Sequence, residues 1–187
     1  MQLFSFPCDF LAVAFTIVLI SIILSVIYVT FIPKLKTFNS KRYSRSAVEL
    51  VDVSGETLSV IEVQIADTPE ELYLGLSETD SLGRKEGMLF VHESSNVRAY
   101  VMRDMAFPLD IIFISADGRV TEIQQADLPP DGASDADLER YHGRGKYVLE
   151  IPMGTAEEVG LSKGDRVVIP SSVRSNPYLN IFPQQIW

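Results

Sequence analysis

Six side chains of chemically active types lie in or beside apolar stretches of the sequence: Arg98, Tyr100, Met102, Arg103, Asp110 and Glu150. Arg98, Tyr100 and Met102 occupy alternate positions, so a β-strand would present all three on one face. A face that bears Arg, Tyr and Met is unusual for a core, and it suits a shallow pocket with an aromatic wall. We therefore expect these six residues to include a ligand-binding site.

Asp110 and Glu150 are each embedded in a strongly apolar segment. A buried carboxylate is costly unless it is hydrogen-bonded or paired with a cation. One interpretation is structural: Asp110 would bind turn amides, or would pair with Arg103 or Arg98. The other interpretation is that the carboxyl meets a ligand. The same two interpretations apply to Glu150, and both stay open for each residue.

Signals for catalysis and for metal binding are weak. The sequence contains no Gly-rich phosphate loop, no GxSxG and no HExxH. His92 and His142 are candidate general bases, but neither has an orienting carboxylate at a recognisable spacing. The acidic loop around Asp127 to Glu139 could supply oxygens to a hard cation, yet it matches no EF-hand pattern, so a solvated loop is favoured. We predict no catalytic residue, no metal site and no cofactor.

The charge of the chain is negative overall and unevenly distributed. The 187 residues carry a formal net charge of −9, which argues against nucleic acid as a partner because phosphates require a basic surface. Residues 1–45 hold one acid and five bases, or +4. The remaining 24 acids and 11 bases give residues 46–187 a charge of −13. This difference in charge indicates that residues 1–45 and residues 46–187 lie in different environments.

An uncharged apolar run of 23 residues extends from Phe10 to Ile32. About 20 such residues in a helix cross a bilayer core, so residues 10–32 are predicted to be a single transmembrane helix and the membrane a partner. A cleaved signal peptide is the alternative, but no base precedes the run and no Ala-x-Ala follows it. Residues 33–46 form a basic juxtamembrane linker. Because all five bases follow the run, the positive-inside rule places the larger part of the chain in the cytoplasm.

Residues 47–170 are predicted to form a β-rich soluble domain, and residues 171–187 an irregular C-terminal tail. Short apolar or alternating segments predict about eight strands. They lie at residues 47–53, 58–65, 87–91, 97–102, 109–114, 120–124, 147–151 and 166–169. Capping-box signatures at Thr68 and at Thr155 predict two short helices. The expected fold class is mainly β (α+β), a compact barrel or sandwich.

Several blocks of the sequence resemble the domain of unknown function 192 family, in order, from Ala47 to Ile169. They are DTPEEL, GLSETDSL, EGMLFV, YVMRDMAFPLDIIFISADGRV and YVLEIPMGTAEEVGLSKGDRVVI. The resemblance implies a compact β domain, often exported or membrane-attached, with no established activity. Members usually carry a segment like FWMKNT, where this chain has YVMRDM from Tyr100 to Met105, and GLM where it has Gly75-Leu76-Ser77. The export tendency implies an extracytoplasmic domain, so either side of the membrane remains open.

Three functions are compatible with these features. The first is a non-catalytic binding or accessory module on the membrane that recognises a small molecule or a protein. The second is a hydrolase-type or carbohydrate-active enzyme whose paired carboxylates are Asp110 and Glu150, which would have to lie roughly 5–10 Å apart. The third is a structural protein of the cell envelope that uses its apolar tail with Phe182 and Trp187. The first is favoured, because no nucleophile–base pair is evident.

Overall fold

The computed structural model describes residues 42–174, which form a seven-stranded sheet with three short helices. The strands are β1 (Ser44–Val51), β2 (Thr57–Ala66), β3 (Glu86–Tyr100), β4 (Leu109–Ile114), β5 (Val120–Ala126), β6 (Tyr141–Pro152) and β7 (Arg166–Val168). The helices are α1 (Pro69–Leu74), α2 (Thr155–Val159) and α3 (Ser171–Arg174). The strand order is β5-β4-β6-β3-β2-β1-β7, and the β2–β3 pair is parallel while the other pairs are antiparallel.

The sheet curls so that its two outer strands, β5 and β7, are linked at one end. Arg119, just before β5, forms an antiparallel bridge with Arg166 of β7. The amide of Val120 donates to the carbonyl of Asp165 at 2.8 Å, and the amide of Val167 donates to the carbonyl of Gly118 at 2.8 Å. The mainly β class is therefore confirmed, in the form of a half-barrel.

The predicted count of about eight strands is one too high. The expected strands at residues 87–91 and 97–102 both fall in β3, which continues through the polar segment between them and ends at Tyr100, two residues earlier than predicted. The pairing of β3 with β6 shifts register between Val91 and Asn96, so the strand is irregular there but does not end. The polar residues suggested a loop because the strand leaves the apolar core at this point.

Alternating side chains of the central strands enter two separate apolar clusters. In β4, Ile112 and Ile114 belong to a cluster with Val63, Leu149 and other residues on one face of the sheet. Leu109, Ile111 and Phe113 belong to the cluster on the opposite face. All six residues of β4 are buried, as its almost uninterrupted apolar sequence indicated. We call the face with Phe113 the outer face, since α1 packs there through Leu72.

One of the two predicted capping boxes is formed in the structure, and the other is not. At α1 the box is formed: the Glu71 amide donates to Thr68 Oγ1 at 3.3 Å, and the Thr68 amide donates to Glu71 Oε2 at 3.1 Å. At α2 the prediction was wrong. The N-cap is Gly154 in the left-handed region, with φ +82°, and no side chain of the helix caps it.

A carboxylate from a distant strand takes the place of the missing cap. The Gly154 amide donates to Asp110 Oδ1 at 3.1 Å, and the Ala156 amide donates to Asp110 Oδ2 at 2.8 Å. Asp110 is 1% exposed, so these two bonds are what make its burial tolerable. Of the two interpretations of Asp110, the structure favours the one in which it binds turn amides.

Outside this domain the sequence-based predictions stay predictions. Among residues 42–174 no helix is long and apolar enough to span a membrane, and the predicted span at residues 10–32 lies outside this range. β1 begins at Ser44, so the end of the predicted linker is already strand. The predicted tail begins with α3, while Phe182 and Trp187 lie outside the described residues.

Replacing Asp110 by Ala is expected to lower the free energy of unfolding by roughly 2–4 kcal/mol, because two buried or half-buried amides lose a charged acceptor. Asp110→Asn, which keeps one acceptor oxygen, should lose less. Chemical denaturation measures both. Asp137→Ala is the control, since Asp137 also binds two turn donors of Ser134 but on an exposed loop. A loss at Asp110 no larger than at Asp137 would contradict the structural role.

Candidate functional site

A cavity of about 340 Å³ lies on the outer face, where α1 and the loop after β3 cover the sheet. Its walls come from α1 with the turn that follows, from β3, from the loop leading to β4, and from one residue of β6. They are residues 72–77 and 97–103, with Phe90, His92, Met105, Leu109 and Glu150. A volume of this size is at the small end of ligand-binding cavities.

The aromatic wall of the cavity is built around Tyr100. Its ring meets Phe90 edge-on with centroids 5.2 Å apart, and it meets Phe113 edge-on at 5.9 Å. Phe113 can lie there because Gly143 of β6, which faces its ring, has no side chain: a Cβ at Gly143 would be 2.2 Å from the Phe113 ring. Edge-to-face contacts of this kind hold the Tyr100 ring in one orientation.

The Tyr100 hydroxyl is hydrogen-bonded to His92 Nε2 at 2.8 Å. Burial and the positive charge of Arg98 lower the pKa of His92 to about 3, so this imidazole is neutral at physiological pH. Burial and the nearby Glu150 raise the pKa of the Tyr100 phenol well above 10. The pair therefore forms a neutral, directional hydrogen bond at one side of the cavity.

Glu150 lies on β6 and faces the cavity with 6% of its surface exposed. In register it stands between Met88 of β3 and Ile111 of β4, both apolar and fully buried. Burial alone raises the pKa of its carboxyl to about 8, with no contribution from a hydrogen bond. At neutral pH Glu150 is consequently an uncharged carboxylic acid, whose O–H has no acceptor among residues 42–174.

Arg98 supplies a cation beside this neutral cluster. One terminal nitrogen, Nη2, donates to the Ser94 carbonyl at 2.8 Å. Its Nε is buried and has no hydrogen-bond partner among the described residues. Burial lowers the pKa of the guanidinium, which nevertheless stays charged in proteins. Arg98 thus contributes a positive charge to the cavity wall, while its unbonded Nε is shielded from the cavity.

Arg103 joins the loop after β3 to α1. Its guanidinium stacks 4.2 Å above the Tyr73 ring, and Nη2 donates to the Tyr73 carbonyl at 2.9 Å. The Ser77 hydroxyl donates in turn to the Arg103 carbonyl at 3.0 Å. These contacts fix the two segments that cover the cavity.

Five of the six predicted site residues line this one cavity: Arg98, Tyr100, Met102, Arg103 and Glu150. Asp110 does not line it. The register of β4 with β6 pairs Ile111 with Glu150, so Asp110 points to the opposite face of the sheet. The paired carboxylates required for the hydrolase hypothesis are therefore separated by the sheet.

The site also contains Phe90 and His92, which were not among the predicted site residues. Met88, Phe90 and His92 alternate along the first part of β3. That period of two predicts one shared face, but the sequence does not show that the second part of β3 continues the same wall. His142, the other candidate base, is exposed and is not among the residues that line the cavity.

The segment that departs from the pattern of the resembling family forms part of this wall. Val101 and Met105 stand where that family's FWMKNT-like segment has Trp and Thr, and both line the cavity. Asp104 stands at the Asn position and has φ +54°, the one non-glycine residue of residues 42–174 with a positive φ. Asn and Asp tolerate this backbone conformation better than other non-glycine residues.

Replacing Glu150 by Gln is expected to change how stability depends on pH. The folded-state pKa of about 8 lies above the ordinary 4.5, so the folded chain keeps a proton that the unfolded chain releases. The stability of the wild type therefore falls between about pH 5 and 8, by about 1.4 kcal/mol per unit from this group. The amide has no such proton.

The difference in unfolding free energy between E150Q and the wild type should be small at pH 5, grow towards pH 8 and level off above it. Urea denaturation at each pH measures this difference. Glu62→Gln, at an exposed glutamate of β2, is the control and should show no such growth. A pH-independent difference for E150Q would show that Glu150 is ionised in the folded chain.

Known proteins share this architecture. Residues 50–169 match the family model DUF192, described as "Uncharacterized ACR". No protein with a curated description matches the chain.

Two crystal structures are similar to it. One is a protein of unknown function from Novosphingobium aromaticivorans, with 31% identity, a TM-score of 0.59, and coverage of 69% of this chain and 88% of that one. The other is from Sinorhizobium meliloti and is described as a proposed transcription regulator, with 29% identity, a TM-score of 0.59, and coverage of 67% and 93%. Since the family model spans well over half of the sequence, the chain belongs to the domain of unknown function 192 family.

Proposed function

We propose that this protein is a non-catalytic binding module whose cavity on the outer face accepts a small organic molecule. The observation that carries the proposal is the Glu150 carboxyl, which is buried beside apolar residues, has no hydrogen-bond partner within residues 42–174 and lines the cavity. A polar group left unbonded in the interior costs free energy, and a ligand that bonds to it recovers that cost. The aromatic and aliphatic walls would bury the rest of the ligand.

The protonation states in the cavity suit recognition better than catalysis. His92, with a pKa of about 3, is a weak base, and its Nε2 is already bonded to Tyr100. Tyr100 has a raised pKa and Glu150 is uncharged at neutral pH, so neither is an activated nucleophile. These groups would orient a ligand by hydrogen bonds without changing it.

The net charge of this chain also bears on the transcriptional role that is described for the Sinorhizobium meliloti protein. A regulator that contacts DNA directly would need basic groups to neutralise phosphates. Residues 46–187 of this chain sum to −13. If this protein affects transcription, the charge favours an action through a bound small molecule over contact with DNA.

A fragment screen on the full chain tests the binding function. We expect bound fragments to shift the backbone amide resonances of residues 72–77 and 97–103. Leu72→Trp, which fills the cavity from α1, should weaken every such fragment by at least about tenfold, or about 1.4 kcal/mol. Val53→Trp is the control, because Val53 is 79% exposed on a turn outside the cavity. Fragments that bind L72W as well as the wild type would show that the cavity is not the site.

We further propose that residues 10–32 attach this module to a membrane as a single-pass helix. The support is the uncharged run of 23 residues followed by a basic segment. The bases favour a cytoplasmic domain, and the export tendency of the resembling family favours the other side.

Protease treatment of cells that carry the full chain with a tag after Trp187 tests the attachment and its orientation. The positive-inside rule predicts that the tag is protected in intact cells and digested in inverted vesicles. Digestion in intact cells would reverse the orientation. A tagged product that is shortened by the apolar run and released from membranes would overturn the attachment.

A further inference from the structure

We infer that the ligand of this cavity is a short peptide segment in extended conformation, which adds to the free edge of β3 as a further strand. The inference rests on the proposed binding function and names the chemical class that the site accepts. It comes from the topology of the sheet, from the unpaired backbone of β3 and from the Glu150 carboxyl.

The side of β3 that faces β2 is paired along the first part of the strand and unpaired along the rest. The last pair joins Ala66 of β2 to Phe90 of β3. There β2 ends and the chain turns into α1, which begins at Pro69, whereas β3 continues to Tyr100. The neighbours of β3 in the sheet are β6 and β2, so in the described part of the chain no strand takes the place of β2 beyond Phe90.

The cavity lies along this free edge. Alternate side chains of a β-strand point to opposite faces, so a cavity against one face is lined by every second residue. Here the consecutive residues 97–100 of β3 all line the cavity, and residues 72–77 of α1 and its following turn provide another wall. A run of consecutive lining residues indicates that the cavity meets the edge of the strand, where the backbone N–H and C=O groups are.

Backbone groups on this edge lack partners. Residues 96–100 pair with β6 in regular antiparallel register, so every second residue directs its N–H and C=O away from β6. Within the range 42–174 no backbone hydrogen bond outside the β-ladders involves residues 96–100. The Arg98 side chain donates to the Ser94 carbonyl, which lies outside this stretch. An unpaired strand edge is a template for another extended chain, which can bond to several of its groups at once.

The free stretch and the cavity have room for a short segment. Residues 96–100 extend over about 13 Å at a rise of about 3.3 Å per residue, which is the length of about four or five residues of an added strand. Alternate side chains of that strand would point to the outer face. One of them could enter the apolar part of the cavity, which is formed by Phe90, Met105 and Leu109.

The Glu150 carboxyl provides a further partner for a peptide. It lines the cavity and has no hydrogen-bond partner among the described residues. An amide carries both a donor and an acceptor, so it can bond to this carboxyl whether the carboxyl is ionised or protonated. A hydrocarbon would leave both the carboxyl and the edge of β3 unbonded. These two sets of unbonded groups favour a peptide over a purely apolar ligand.

Five blocked pentapeptides test the inference. Their sequence is acetyl-Thr-Thr-X-Thr-Thr-amide, with Ala, Val, Leu, Phe or Tyr at X, so each has strand-forming residues and one variable side chain. NMR titration of the full chain measures their affinities. We expect at least one to bind with a dissociation constant below about 1 mM. L72W should weaken that peptide at least about tenfold, and V53W should not.

Hydrogen exchange decides whether the bound peptide is an added strand. In the free chain, the amides of residues 96–100 that do not pair with β6 should exchange rapidly. Saturation with the peptide should slow their exchange at least about tenfold. Two doubly N-methylated peptides, one modified at its residues 2 and 4 and one at residues 3 and 5, lack opposite sets of N–H groups. At least one of them should lose tenfold or more in affinity.

The outcomes distinguish the inference from the function on which it rests. If small fragments bind in a manner that L72W abolishes, and no peptide binds or displaces them, the cavity binds ligands but not peptides. If a peptide binds without slowing exchange at residues 96–100, or if both N-methylated forms bind like the parent, it is not an added strand. If neither fragments nor peptides are affected by L72W, the binding function itself fails.

Exchange in the chain without peptide tests whether the edge is free in solution. If all amides of residues 96–100 are already protected, another segment pairs with this edge and the inference is overturned. Protection that falls on dilution would identify that segment as part of a second copy. Protection that is independent of concentration would assign it to the same chain.

Discussion

This structure depends on one constraint. A carboxyl group that is buried in a sheet covered on both faces loses its hydration. β4 and the second half of β6 are buried on both sides, and each contains one acidic residue among apolar ones. An ionised carboxylate there must find donors, or it must take up a proton. Asp110 accepts hydrogen bonds from two backbone amides, whereas burial raises the pKa of Glu150 to about 8. The same physical cost thus produces a structural residue on one face and a chemically distinctive one on the other.

The length of β3 determines where the cavity can form. The first part of the strand places Phe90 in the outer cluster, and the second part places Tyr100 against it. The register shift between Val91 and Asn96 allows His92 to meet Tyr100, eight residues further along. A strand that ended at the polar segment would have left these side chains on separate elements with no common wall.

The segments that cover the cavity are held by polar contacts to backbone carbonyls and by apolar packing of Leu76 and Met102 against the outer face. Arg103 donates to the carbonyl of Tyr73, and Ser77 donates to the carbonyl of Arg103. Contacts of this kind join a short helix to a loop without filling the space between them. Within that loop, Asp104 adopts a left-handed backbone conformation with φ +54°.

Local patterns in the sequence were sufficient for the β class, for most strand positions, for the capping box of α1 and for five of the residues that line the cavity. These features follow from alternation and from short-range hydrogen bonds, which neighbouring residues determine among themselves. The faces of the sheet on which Asp110 and Glu150 lie could not be inferred in this way. A shift of one residue in the pairing of β4 with β6 would place the two carboxyls on the same face of the sheet, and only the tertiary structure sets that register. The same holds for the cap of α2, which comes from a strand more than forty residues earlier in the chain.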